Sequence, residues 1–82
     1  MPTPQDDREQ LVRVRRAALG SRLRQLRAAR NLTQDAVARR AGIDRSFYTE
    51  IELGKLSPRV DYLWDIAAAL GVPASELLRE PP

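Results

Sequence analysis

The fold this sequence predicts is all-α, a single compact bundle of five helices, and three observations predict it. Apolar residues recur at spacings of three and four in successive segments, the mark of helices with one buried face. No stretch alternates apolar and polar residues for long enough to make a strand. Asn31, Gly42, Gly54 and Gly71 each follow such a periodic run, where a helix ending in the left-handed conformation favours Asn or Gly. At 82 residues there is room for one core and no second.

The first helix lies within residues 8–30. Leu19, Leu23 and Leu26 fall at i, i+4 and i+7, with Val12 one heptad before Leu19. Gly20 interrupts the run at a cost of about 1 kcal/mol relative to alanine. The helix therefore either runs on from about Arg8 or begins near Arg16 behind a frayed arm, and Asn31 ends it. Residues 1–7 read as a disordered tail, 8–79 as the domain and 80–82 as a frayed end. Thr33 is the N-cap of a helix over 34–41, with Asp35 near its positive end, Val37 and Ala38 inward and Gly42 closing it. Asp44 caps a helix over 45–53 with Tyr48 and Ile51 inward, and Gly54 stops it. Pro58 precedes a helix over 60–70 whose inward residues are Leu63, Ile66, Ala67 and Leu70, with Gly71 as its cap. Pro73 opens a last short helix through Leu78, anchored by Leu77.

Composition excludes several kinds of chemistry. The chain has no Cys and no His, which removes disulfides, thiolate metal sites, cysteine nucleophiles and imidazole acid–base catalysis. Carboxylates do not converge; Asp61 and Asp65 at i, i+4 read as a solvated helix face. No enzyme activity, metal or other cofactor is expected. Apolar runs are too short for a membrane span, and the opening MPTPQDD does not read as a signal peptide. A cytoplasmic, nucleoid-associated protein is expected. The net charge of +3 conceals a sided distribution: residues 8–59 hold 13 basic and 5 acidic residues, whereas residues 60–82 hold 1 basic and 4 acidic. A field of that shape suits a polyanion on one face. All but one of the basic residues are Arg. The guanidinium fork matches phosphate and guanine edges, although richness in Arg and Ala can equally reflect genome composition.

The helices over 34–41 and 45–53 are joined by only Gly42-Ile43-Asp44, the arrangement of a helix-turn-helix unit. Small Ala38 faces the turn and Ile43 fills the corner. The outer face of the second helix is left free to enter a groove, and the B-DNA major groove, about 12 Å wide, admits one helix.

Leu32-Thr33-Gln34, Ala38, Ala41-Gly42-Ile43, Arg45-Ser46-Phe47-Tyr48, Ile51-Glu52, Gly54, Pro58, Ile66-Ala67 and Leu70-Gly71-Val72, in that order and spacing, resemble the phage-repressor (Xre-like) helix-turn-helix family over about residues 16–78. Within it, residues 44–52 are most similar to the small controller proteins of restriction–modification systems. The resemblance implies a lambda-repressor-like DNA-binding fold and a sequence-specific transcriptional regulator of double-stranded DNA. Arg45, Ser46, Thr49 and Glu50 match base-reading positions. Their placement agrees, because with Tyr48 and Ile51 inward these four lie on the outer and leading face. Arg45 has the fork for guanine, and Glu50 either accepts from cytosine or orients Arg45. Gln34 matches a backbone-binding residue at a helix start, beside Thr33, and Lys55, Ser57 and Arg59 match backbone clamps. Phe47 either touches DNA, at a thymine methyl or a sugar, or packs against the flank of the first helix. Arg27 and Glu52 match a pair that ties the first helix to the recognition helix. Leu53 departs from the family, where a polar residue often contacts the backbone. The other arginines of the first helix read mostly as a solvated face.

One recognition helix reads too few base pairs for a specific site, so a homodimer on a two-fold symmetric operator is expected. Trp64, one position off the Leu63/Ile66/Leu70 stripe, with Val72, Leu77 and Leu78, is the expected interface in the acidic C-terminal third. The alternative for Trp64 is the edge of the monomer core. No small-molecule ligand is expected. The competing functional reading is an antitoxin or another protein-interaction module on the same fold.

Overall fold

The first helix starts at a capping box. In the computed structural model, which describes residue 1 and residues 3–80, Thr3 accepts from the Asp6 amide at 3.2 Å, while the Asp6 carboxylate accepts from the Thr3 amide at 3.1 Å. With Pro4 at the first helical position, α1 runs over Pro4–Ala29. The helix thus begins before both expected starts. Residues 4–7, read from the sequence as part of a tail, form its first turn, and the Thr3 amide and hydroxyl bonds hold the Asp6 carboxyl below its usual pKa. Glu80 is exposed; the rest of the expected frayed end, Pro81 and Pro82, lies outside the described residues.

The turn after α1 closes on Asn31, at φ 54° the one non-glycine residue with positive φ among those described. Thr33 caps α2 (Gln34–Ala41), accepting from the Ala36 amide at 3.0 Å, and Gly42 at φ 72° ends it. Next comes α3 (Arg45–Glu52). Asp44 occupies its N-cap position but makes no side-chain cap bond. After the loop through Pro58, α4 spans Val60–Leu70. The short helix expected from Pro73 is a 3₁₀ turn, Ala74–Glu76. The described residues are all helical or irregular, with no strand among them.

The core joins Leu23 of α1, Val37 and Ala38 of α2, Tyr48 and Ile51 of α3, Leu63, Ile66, Ala67 and Leu70 of α4, and Leu77. Apart from Leu77, these are inward positions that the periodicity assigns. Leu77 is 2% exposed and belongs to this core. It therefore lines no surface of the monomer, which corrects its place in the expected interface: packing on α4 buries Leu77 and turns Leu78 outward. Arg22 pins this end to α1, donating to the Glu76 carboxylate at 2.6 Å and to its carbonyl at 3.0 Å. Along α1, residues 4–11 are all exposed and project beyond the body, which gives the molecule its 44 Å long dimension. No helix among the described residues is long and apolar enough to cross a membrane.

Candidate nucleic-acid interface

Backbone-to-backbone contact fixes α3 against α1. A β-carbon on Gly20 would lie 2.2 Å from the Glu52 carbonyl oxygen, so only glycine lets the two helices approach this closely. Gly54, at φ 74°, ends α3, and a β-carbon there would lie 3.2 Å from the Ala17 Cα. The Arg24 guanidinium donates to the Glu52 carbonyl, placing a positive charge at the negative end of the helix dipole.

The Glu52 side chain, 1% exposed, is the centre of a polar network. Arg27 binds it with two bonds, Nε to Oε2 at 2.8 Å and a terminal nitrogen to Oε1 at 3.0 Å, and also donates to the Leu32 carbonyl at 3.1 Å. Gln34 Nε2 donates to Glu52 Oε1 at 3.0 Å, and Thr49 Oγ1 donates to Gln34 Oε1 at 2.9 Å. Burial alone would raise the Glu52 pKa. The Arg27 hydrogen bonds, with help from the nearby Tyr48 hydroxyl and the Gln34 amide, outweigh it and hold the carboxyl below its usual range. The pair raises the Arg27 pKa in turn. The buried Tyr48 hydroxyl has no partner in hydrogen-bond geometry, and burial, then the Glu52 charge, pushes its pKa up.

The opposite face of α3 is open. Arg45, Ser46 and Glu50 are exposed, and Arg45 and Glu50 join no ion pair among the described residues. Thr49 shares that face but is half-buried, its hydroxyl held by Gln34. The Thr33 hydroxyl is engaged in capping α2. Phe47 is half-buried, its ring 5.1 Å from that of Tyr62 and inclined at 66°, so it packs α3 against α4. The Arg59 guanidinium lies over the Tyr62 ring, 5.2 Å from its centroid. Ser57 accepts from Arg16 Nε at 2.7 Å, which brings α1 to the loop after α3. Lys55 and Leu53 are exposed, Leu53 at 59%.

The candidate residues thus fall into three places. Gln34, Thr49, Glu52 and Arg27 form one bonded chain; Arg45, Ser46 and Glu50 form the free face; Lys55, Ser57 and Arg59 form the flanking loop. Sequence reasoning missed Arg24 as a helix cap, Arg22 as a C-terminal anchor, and the role of Gly20. For Gly20 the signal was present: an isolated glycine inside a strong helical pattern often marks a close approach.

Two helices joined by a tight glycine turn, the second exposing a polar face and locked from behind, define a helix-turn-helix unit. The chain belongs to the helix-turn-helix family, whose model matches residues 23–77. It is 36% identical over 63 residues to an uncharacterised helix-turn-helix-type transcriptional regulator, y4dJ, of Sinorhizobium fredii, covering 77% of this chain and 82% of that protein. It is also similar to the crystal structure of the restriction–modification controller protein C.AhdI from Aeromonas hydrophila. The TM-score is 0.74 at 34% identity, over 76% of this chain and 94% of that one. A third relative, the hypothetical transcription factor NHTF from Neisseria, matches with TM-score 0.77 and 31% identity over 99% of this chain and 84% of its own.

Proposed function

We propose that this chain is a sequence-specific DNA-binding transcriptional regulator. It acts as a homodimer on a two-fold symmetric operator, with α3 in the major groove. The observation that carries this reading is the asymmetry of α3: the Glu52 carboxylate on its inner side is bonded to Arg27 and Gln34, while Arg45, Ser46 and Glu50 project unpaired from its outer side. Arg45 presents two parallel donors for guanine, and Ser46, Thr49 and Glu50 supply the remaining base contacts. Gln34 has a second amide hydrogen for a phosphate at the start of α2, with Thr33 beside it. Lys55, Ser57 and Arg59 hold the backbone past the C-terminal end of α3. The basic surface of residues 8–59 adds salt-dependent attraction. The similarity to C.AhdI supports a controller within a restriction–modification system, with its action in the cytoplasm at the nucleoid.

The dimer is proposed to form through Trp64 and Leu78, exposed at 58% and 59%, together with half-buried Val72. Tryptophan is enriched among the anchors of interfaces. The surrounding Asp61 and Asp65 keep that face away from DNA. Trp64→Ala is expected to shift the dimer towards monomer in sedimentation equilibrium, and an unchanged dimer would remove Trp64 from the interface. The reading as a whole is tested by selecting random duplex DNA on the purified protein and sequencing the winners. A two-fold consensus with half-sites about 34 Å apart is expected. Binding without a consensus, fading uniformly as salt rises, would overturn the sequence-reading role.

A further inference from the structure

Thr49 lies on the face proposed to meet the bases, yet its hydroxyl is already engaged. A threonine hydroxyl carries one hydrogen and two lone pairs. Here the hydrogen is directed at Gln34 Oε1, at 2.9 Å. The reverse assignment, Gln34 donating to Thr49, would turn the amide around and point its oxygen at the Glu52 carboxylate. Glu52 forbids that. It is ionised and accepts only, it lies 3.0 Å from the Gln34 amide nitrogen, and Arg27 holds it in place with two bonds. The chain of bonds has one self-consistent direction: Thr49 to Gln34 to Glu52, with Arg27 donating from the other side. A β-branched side chain in a helix has few rotamers to escape into.

We propose that Gln34 determines what Thr49 can read: by taking the only hydroxyl hydrogen, it leaves Thr49 a methyl group and the hydroxyl lone pairs for DNA, and guanine is thereby excluded at the base Thr49 faces. The inference rests on α3 being the recognition helix. In the major groove, guanine presents only acceptors, N7 and O6. Cytosine offers the N4 donor, adenine the N6 donor and thymine its methyl group. A side chain with no hydrogen to give contacts any of the last three and not the first. Gln34 is on this account a positioning residue for specificity, in addition to its proposed phosphate contact.

The test is in vitro selection from random duplex DNA with four proteins: wild type, Thr49→Ala, Gln34→Leu and Thr49→Val. Thr49→Ala locates the base pair, as the position whose preference changes while the Arg45 position holds. At that position the wild type is expected to deplete guanine at least about tenfold, as for one discriminating contact of about 1.4 kcal/mol. Gln34→Leu frees the hydroxyl and is expected to admit guanine there. Thr49→Val has no hydrogen to donate either, leaves the Gln34–Glu52 bond in place and should exclude guanine as the wild type does. Guanine in the wild-type consensus at that position, lost in Thr49→Val, would overturn the inference, because it would show the hydroxyl donating to DNA. So would a Gln34→Leu consensus identical to the wild type. Those outcomes leave the DNA-reading proposal intact, whereas a wild type that selects no consensus removes that proposal and the inference with it. Should Gln34→Leu fail to fold, the wild-type and Thr49→Val selections alone decide the matter.

Discussion

The two ends of α3 are built on opposite principles. At the C-terminal end the inward groups are engaged: the Glu52 carboxylate, buried to 1% exposure, takes bonds from Arg27 and Gln34, its carbonyl takes Arg24, and Gly20 lets the α1 backbone press against it. At the N-terminal end Asp44 makes no cap bond, and Arg45 and Ser46 stand in solvent. The difference teaches how a short helix can be both rigid and available. Eight residues cannot hold themselves helical in water, so tertiary anchors at one end supply the order. The other end keeps its hydrogen-bonding capacity for a partner, which is what a preorganised binding surface requires.

Breaking the anchored end should have the largest effect. Glu52→Ala leaves the Arg27 guanidinium, at 21% exposure, without its partner and is expected to cost about 3–5 kcal/mol of stability in chemical denaturation. A loss below about 1 kcal/mol would mean that the network does not hold α3. The open end should behave in the opposite way. Arg45→Ala is expected to leave stability within about 0.5 kcal/mol and to weaken specific DNA binding by about 1–3 kcal/mol. Equal weakening on random DNA would remove its base-reading role.

Acid sharpens the same contrast. The Glu52 pKa is lower in the fold than in the unfolded chain, where it is about 4.3. Its contribution is therefore fully present above that value and is lost as pH falls through the lower, folded one. Thermal melting should be flat from neutral pH to about pH 5 and fall below about pH 4, with much of the slope missing in Glu52→Gln. A slope unchanged in that variant would assign the acid sensitivity elsewhere, with the Asp6 cap the next group to examine. The smallest effect is expected at Tyr48, whose buried hydroxyl has no partner. Tyr48→Phe should change stability by less than about 0.5 kcal/mol, and a clear destabilisation would show that the hydroxyl bonds to Glu52 in solution.

Much of this architecture is legible in the sequence because local rules govern it. Thr33 caps α2, Gly42 and Gly71 end helices, and the stripes from Val37 to Leu70 become the core. The start of α1 was legible too, in Thr3-Pro4 followed by Asp6, yet the polar composition of the segment argued for a tail. Leu77 and Leu78 were harder. Adjacent leucines in a short segment carry no periodicity to say which is buried, and only packing against α4 decides it. The site divides in the same way. The residues of the outer face follow from which positions point inward, whereas the direction of the Thr49–Gln34–Glu52 chain does not, because it depends on atoms 15 and 18 residues apart in sequence.

What the sequence determined by itself is therefore the order of the helices, the helix ends at Thr33, Gly42 and Gly71, the buried faces and the helix-turn-helix unit, since each depends on spacing and conformational preference within a few residues. What only the tertiary structure decided is which polar groups remain free. Gly20 faces Glu52 across 32 positions of chain, Arg24 across 28, Arg27 across 25 and Gln34 across 18. A hydrogen bond is directional and is made or lost within a few tenths of an ångström. Its existence depends on where the helices come to rest against one another, and no local pattern records that.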